Sequence, residues 1–263
     1  MIGSIANNRF LKRVNPEILR ALDETGAAAS MRQMVDLDIA KNLIGWWHRD
    51  NVNTRTSGSD TFVTQANDSS GGSNNATQAT QANQPKLLAL GIDFTGTAYH
   101  VLSSSTASAE VSYLYADTGI TWSYGLWYNG TSGVICGAGG GIGSATTNAI
   151  YLSGSELRVR LRGNTTDDLI TSSGTGSWKH IMITWNGSNG YAYYNGGSAI
   201  LLTPGTASNQ NTEIALGFCN AAISAGNYAH YTGTLNDARV FNSALTVTEI
   251  AAIHNQTKGA YGL

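Results

Sequence analysis

Residues 178–187 read WKHIMITWNG, and this stretch decides the fold. Its large apolar side chains stand at every second position, as in a β-strand with one buried face: Ile181, Ile183 and Trp185. Asn186-Gly187 then supplies a tight turn, and a second polar turn at residues 195–197 follows the aromatic run 191–194. Asn-Gly pairs favour hairpins because both residues accept a positive φ. The stretch predicts neighbouring antiparallel strands in a meander.

The same alternation returns elsewhere in the chain. Large apolar residues recur at every second position of residues 120–128, and Leu157, Val159 and Leu161 alternate with charged side chains. One face of each segment is therefore expected to meet a core. The arginines between those leucines and valine are expected to form a solvated strand face: Arg158, Arg160 and Arg162.

Composition agrees with an all-β protein rich in loops. Charged residues make up 12% of the 263 residues, about half of the usual share. Gly numbers 31 and Pro only 3, and the remaining polarity comes from Ser, Thr, Asn and Gln, which suit turns and outward strand positions. The length allows one β-sandwich of about two hundred residues with an appendage.

A helix is predicted close to the C-terminus. Thr246 and Glu249 have the spacing of a capping box, and Leu245 can pack on Ile250 as a hydrophobic staple. A short helix over about residues 247–255 should follow a last strand over 235–241.

The first 42 residues differ from the remainder. Residues 1–45 hold eleven of the thirty-two charged residues, and Asn15-Pro16-Glu17 is typical of a helix start. We divide the chain into a helical anchoring arm, residues 1–42, and a β-sandwich, residues 43–263. The arm's apolar residues are the candidate contacts with a partner protein: Ile18, Leu19, Leu22, Met31 and Met34.

Charge and hydropathy exclude several classes of partner. The net charge is −2 without a basic cluster, so we expect no nucleic-acid binding. No segment approaches the roughly 18 apolar residues that would cross a bilayer, so we expect no membrane insertion. No secretory apolar segment follows Met1, which predicts synthesis in the cytoplasm of the host cell. Cys136 and Cys219 are expected to be buried thiols, and a bridge between them is left open.

Three segments, in this order, resemble the laminin-G-like jelly-roll domains of the concanavalin A-like lectin/glucanase superfamily, of the kind found in tailed-bacteriophage virion proteins. They are Leu43–Trp47 with the loop DSSGGSNNAT at 68–77 and residues 91–96, the hairpin 178–187 with 194–196, and YTGTLNDARVFNSAL at 231–245. The resemblance implies an all-β concanavalin A-like jelly-roll sandwich of two antiparallel sheets. To this fold we add the short helical N-terminal arm and the short C-terminal helix.

The catalytic motifs of related enzymes are absent from the sequence. Glucanases of this superfamily carry Glu-x-Asp-x-Glu on one strand, whereas acids two positions apart occur here only at Asp36 and Asp38. The histidines, such as His48 and His254, have no sequence partner that suggests a triad. We therefore predict no catalytic residues and that the protein is not an enzyme.

Candidate ligand residues are aromatic and acidic. Aromatic side chains that remain exposed could bind a ligand, and we name Tyr99, Tyr113, Tyr115, Trp127 and Tyr191. No cofactor is expected; calcium is the candidate metal, with the loop acids as its ligands: Asp68, Asp93, Asp167 and Asp168.

The function predicted from these observations is structural. We expect a non-enzymatic virion protein that forms part of a capsid decoration, a tail or a fibre. Its N-terminal arm is expected to bind other virion proteins. The alternative is a module that binds carbohydrate or a host receptor through surface glycans, and a glycoside hydrolase ranks below both. A homo-oligomer is compatible with either reading.

Overall fold

The computed structural model describes residues 39–96, 100–102, 120–138, 148–162, 166–205, 214–217 and 230–263. Its strands are β1 (Leu43–Trp47), β2 (Val52–Ser57), β3 (Asp60–Ala66), β4 (Ala76–Thr77), β5 (Lys86–Leu88), β6 (Gly91–Asp93), β7 (His100–Leu102), β8 (Trp122–Ala138), β9 (Asn148–Ser153), β10 (Glu156–Arg160), β11 (Asp168–Thr171), β12 (Lys179–Trp185), β13 (Gly190–Tyr194), β14 (Ala199–Leu202), β15 (Ile214–Leu216) and β16 (Thr232–Phe241). One α-helix, α1 (Val247–Thr257), follows, and short 3₁₀ turns lie at Gln81–Asn83 and Lys258–Tyr261.

These strands pair antiparallel throughout and form the predicted all-β, concanavalin A-like fold. The 17-residue strand β8 joins the two halves of the sandwich. Its first part pairs with β12 and β16, and its last part pairs with β9 and β15. The two halves are thus one hydrogen-bonded network rather than two separate sheets.

The core lies between the inner faces of the two halves. On β8 the alternating residues Trp122, Tyr124, Leu126 and Tyr128 are buried in it. The predicted hairpin is present as β12 and β13, and its alternating residues Ile181, Ile183 and Trp185 belong to the same core. Alternation therefore determines which side of each strand faces inward, as the sequence predicted.

A second apolar cluster lies on the outer face, which we define as the side of β1, β16, β8, β12 and β13 turned away from the core. Helix α1 covers part of this face, and the cluster comprises Ile39, Met182, Tyr193, Phe241, Leu245, Ile250 and Ile253. The capping box of Thr246 and Glu249 is formed, which confirms the predicted helix start. Residues 39–42 form a helical turn that places Ile39 in this cluster.

The prediction of a solvated arginine face is wrong for two of the three arginines. Arg160 and Arg162 are buried, while Arg158 remains partly exposed. Strand β11 follows β10, and Asp167 just before it receives two hydrogen bonds from Arg160. The guanidinium of Arg162 lies 4.7 Å from the centre of the Trp185 ring. Paired charges and cation–π contacts allow these groups to be buried.

The structure also bears on the predictions for the two cysteines and for membrane insertion. Cys136 is buried in β8, as predicted, and Cys219 lies outside the described residues. In the described part of the chain, none of the helices is long and apolar enough to cross a membrane.

Candidate functional site

The outer face carries a patch of polar and aromatic side chains beside helix α1, at the edge formed by β1 and β16. In the register of these strands Trp46 stands opposite Arg239, and the inward positions are taken by Trp47, Ala238 and Val240. Trp46 and Arg239 therefore share the outer face. We call this patch the Trp46 surface and define it as Trp46, Arg49, Asn236, Asp237, Arg239 and Tyr261.

The centre of the Trp46 surface is an acid bound by an arginine and an indole. Arg239 donates to both carboxylate oxygens of Asp237, at 2.8 and 2.9 Å, and Trp46 Nε1 donates to Asp237 Oδ1 at 2.6 Å. The Arg239 guanidinium also lies 4.9 Å from the centre of the Trp46 ring. The side chains of Asp237 and Arg239 are 10% and 15% exposed, so the pair is fixed in place but reachable from solvent.

A local bulge in β16 turns the Asp237 side chain toward Arg239 and Trp46. Asp237 has a φ of 52°, and the register of β16 against β8 shifts between Asn236 and Arg239. Asn236 Oδ1 accepts hydrogen bonds from the backbone N–H groups of Asp237 and Arg49, at 2.9 and 3.0 Å. Bulges of this kind re-aim side chains at functional sites.

The loop before β6 closes one side of the surface. Asn236 Nδ2 donates to the Leu90 carbonyl at 3.1 Å, and Arg49 donates to the Ala89 carbonyl. The side chain of Arg49 is 31% exposed. Leu88 and Leu90 remain among the most exposed large apolar residues of the described chain.

Tyr261, in the C-terminal 3₁₀ turn, lies on the opposite side of the Trp46 surface from the loop before β6. Its ring stacks on Trp127 at 4.3 Å and meets Trp178 at 4.7 Å. Burial raises the pKa of the Tyr261 hydroxyl, so the group stays neutral and can donate a hydrogen bond. Trp127 itself is fully buried and donates from Nε1 to Thr257 Oγ1 at 2.9 Å. The expectation that Trp127 is an exposed ligand residue is therefore wrong, because the C-terminal segment covers it.

A small polar cluster adjoins the Trp46 surface. The His48 ring lies 4.8 Å from the Trp46 ring, and its Nε2 is 3.0 Å from Ser69 Oγ. Burial lowers the pKa of the His48 imidazole below its ordinary value, against the opposing effect of Asp237 and Asp50. His48 is therefore neutral at pH 7. No partner for His48 was predicted from the sequence, because this contact joins residues 21 positions apart.

Among the described residues, the other predicted ligand residue, Tyr191, does not belong to the Trp46 surface. Tyr191 is partly exposed and packs beside the cluster under α1. The others lie outside the described residues, as do the arm's candidate anchors: Tyr99, Tyr113 and Tyr115, and Ile18, Leu19, Leu22, Met31 and Met34.

The four candidate calcium ligands have protein partners. Asp68 accepts three backbone N–H groups, and Asp93 accepts the Thr95 hydroxyl at 2.6 Å. Asp167 pairs with Arg160, and Asp168 accepts both the N–H and the hydroxyl of Thr203. Within the described ranges, no three acidic, His or Cys side chains are grouped to hold a metal ion.

In chemical terms the Trp46 surface offers an aromatic face beside a carboxylate, an amide, guanidinium groups and a phenol. The positive charges of Arg49 and Arg239 are balanced by the carboxylates of Asp50 and Asp237. Asp50 lies next to the surface, with its Oδ1 at 3.5 Å from Arg49 Nε. Such a patch suits an uncharged ligand with an apolar face and several hydroxyl groups.

Solved structures of other proteins share this fold. Trypanosoma rangeli sialidase in complex with sialic acid aligns with a TM-score of 0.62 at 14% identity, over 93% of this chain and 38% of the sialidase chain. The binding domain of Paraclostridial Mosquitocidal Protein 1 aligns with a TM-score of 0.52 at 15% identity, over 83% and 53%. Botulinum neurotoxin type C, from a structure concerning its interaction with two ganglioside molecules, aligns with a TM-score of 0.52 at 16% identity, over 83% and 52%.

These findings correct the prediction that the chain is not an enzyme. That prediction is wrong as drawn, because the similar structures include a sialidase and a mutant of it that displays trans-sialidase activity. The chain spans only 33–39% of the sialidase chains, and at 14–15% identity the likeness shows the fold alone. Their activity remains a property of those proteins.

Sequence comparison identifies the family. A search of curated proteins finds no match. A laminin-G family model, described as concanavalin A-like lectin/glucanases superfamily, matches residues 71–251, which is more than half of the chain. The protein belongs to the concanavalin A-like lectin/glucanase superfamily.

Proposed function

We propose that this chain is a glycan-binding domain and that the Trp46 surface is its binding site. The observation that carries the proposal is the Asp237–Arg239 pair held against a partly exposed Trp46, with Tyr261 beside it. The lectin-like fold supports it, and two proteins that share the fold are described with glycans, the sialidase with sialic acid and the neurotoxin with gangliosides. Both of those glycans are acidic, whereas the balanced charges of the Trp46 surface favour neutral ones.

A sugar ring has one apolar face and a rim of hydroxyl groups. The exposed part of the Trp46 ring can pack on the apolar face, as aromatic side chains do in ligand sites. Asp237 accepts three hydrogen bonds from Arg239 and Trp46, out of about four acceptor positions of a carboxylate, so it can accept one sugar hydroxyl. Because the surface is charge-balanced, neutral hexose-containing glycans are the proposed ligands.

A glycan array followed by titration calorimetry tests this proposal. We expect Trp46→Ala to weaken binding by at least about 10-fold, since the variant loses both the stacking face and the indole that orients Asp237. Phe62→Ala is the matched control, because Phe62 is a partly exposed aromatic with Arg55 over its ring, on β3 outside the Trp46 surface. Equal binding by both variants, with melting temperatures unchanged, would exclude the Trp46 surface as the site.

We propose that this binding does not require calcium. The four candidate ligands already accept hydrogen bonds from the protein. The same titration after dialysis against EDTA should therefore give an unchanged dissociation constant. Loss of binding that added calcium restores would assign the metal a role.

We also propose that the domain is displayed on a virus particle, where residues 1–42 bind other virion proteins. The uneven charge distribution supports an arm of separate function. So does Ile39, because its burial in the outer-face cluster ties the base of the arm to the sandwich. A deletion should for this reason remove residues 1–38 only. We expect the truncated protein to melt like the full chain but to be missing from purified particles; normal incorporation would refute the anchor.

A further inference from the structure

Three side chains beside the Trp46 surface are arranged as nucleophile, base and acid. Ser69 Oγ is 3.0 Å from His48 Nε2, and the other ring nitrogen, Nδ1, is 3.8 Å from Asp50 Oδ2. Ser69 lies in the loop after β3, and His48 and Asp50 lie in the turn after β1. This order of atoms is that of a serine hydrolase triad, which is recognised by geometry and not by position in the sequence.

Neighbouring amides fix the direction of the serine proton. Asn51 Nδ2 donates to Ser69 Oγ at 2.8 Å, and Asn51 Oδ1 accepts from Asn67 Nδ2 at 3.2 Å, which sets the orientation of the Asn51 amide. Since an amide NH₂ can only donate, Ser69 Oγ accepts there. Its own proton is free to point at His48 Nε2.

The imidazole is held in the state that a general base needs. Trp46 packs against the ring, and the lowered pKa keeps it neutral at pH 7. With Nε2 accepting from Ser69, the ring proton is on Nδ1 and faces Asp50. The Asp50 side chain is 70% exposed, so a small rotation can close the 3.8 Å separation, as catalytic hydrogen bonds often do when substrate binds.

We propose that Ser69, His48 and Asp50 form a hydrolytic site that cleaves carboxylic esters. Ser69 Oγ bonds to the ester carbonyl carbon while its proton moves to His48 Nε2. The bond from that carbon to the alcohol oxygen then breaks, and His48 returns the proton to the departing alkoxide. Water attacks the acyl-serine in the same manner and releases the carboxylic acid, which regenerates Ser69 and neutral His48.

Asn51 is a positioning residue for this step, because it acts through Ser69. Its amide holds the hydroxyl oxygen in line with the imidazole, and the partly exposed site admits water for deacylation. The proposal does not depend on glycan binding, since none of these residues belongs to the Trp46 surface.

The chain of residues 1–263 can be tested with a fluorophosphonate probe and with p-nitrophenyl acetate. We expect Ser69 Oγ to attack the phosphorus of the probe and displace its fluoride, and peptide mass mapping should locate the adduct on Ser69. His48→Gln should slow both reactions at least about 100-fold, the usual contribution of a general base. The rate should rise as His48 loses its proton, with a midpoint below pH 6.5, in the field of Asp50, Asp237 and Arg239.

Ser70→Ala is the matched control, because Ser70 lies in the same loop and its Oγ accepts only the Gly72 N–H at 3.3 Å among its hydrogen bonds in the described structure. Ser69→Ala should abolish labelling, and Ser70→Ala should not change it. If the wild-type protein binds glycans but carries no adduct on Ser69, the hydrolytic site is refuted and the proposed function stands. Equal rates of labelling in the wild type and in His48→Gln would also refute the hydrolytic site, because they would show that no base activates the Ser69 hydroxyl.

Discussion

We expect Asp68→Ala to lower the free energy of unfolding by about 3 kcal/mol or more. The Asp68 carboxylate accepts backbone N–H groups from Trp46, Ser70 and Asn74 at 2.8–3.0 Å. Loss of a charged acceptor leaves three donors without a protein partner, at about 1–3 kcal/mol for each one that water cannot reach. Asn74 Nδ2 donates a hydrogen bond to the Ile44 carbonyl, and the Asn74 carbonyl accepts one from Trp47 Nε1. Because Asp68 fixes Asn74, we expect its loss to loosen the loop from β1.

Urea unfolding followed by tryptophan fluorescence measures this effect. Asp93→Ala serves as the control, because its carboxylate accepts a side-chain hydrogen bond from Thr95 near the surface. A difference of less than about 1 kcal/mol between the two variants would show that the 68–77 loop is not needed to fix β1.

The second large effect is a loss of stability in acid that depends on His180. The His180 ring is buried between Trp127 and His254, at ring distances of 5.0 and 5.5 Å. Burial, and secondarily the His254 ring, lower the pKa of His180 to about 3. Its Nδ1 has no hydrogen-bond partner among the described residues, so a proton there would be buried without an acceptor.

The direction of this pH effect on stability follows from the number of protons that the folded and unfolded states bind. The unfolded imidazole, with a pKa near 6.5, binds more protons than the folded one between pH 6.5 and about 3. The contribution of His180 to stability is therefore complete above about pH 6.5 and is lost as the pH falls toward 3. Each pH unit costs about 1.4 kcal/mol in that range, or about 3 kcal/mol at pH 4.5.

Comparison of wild type with His180→Gln separates this contribution from that of the carboxyl groups. Glutamine does not titrate, so the variant should lose less stability between pH 7 and pH 4.5. His254→Gln, which removes a half-buried imidazole from α1, should show a smaller change of the same sign. Identical pH slopes for wild type and His180→Gln would contradict the assignment.

Local patterns predicted much of the fold. The alternation at residues 181–185 and the capping box at Thr246 depend on side chains two or three positions apart, and both are present in the structure. The buried arginines were not predicted, because the pairing of Arg160 with Asp167 requires that β11 lie beside β10.

The candidate site could not be predicted from local patterns. Trp46 and Arg239 come from strands almost two hundred positions apart, and only the register of β1 against β16 brings them together. The motifs at 43–47 and 231–245 contained both residues but predicted strands. Trp127 was misjudged for a related reason: its alternation points it outward, and nothing local shows that α1 and Tyr261 cover that face.

The length and pairing of strand β8 determine how the domain unfolds. The strand is about 55 Å long at 3.3 Å per residue, and it is the central pairing partner in both halves of the sandwich. Neither half can melt without breaking hydrogen bonds that the other half needs. The amide protons of β8 should therefore exchange with solvent only when the entire domain unfolds, which makes the sandwich a single cooperative unit.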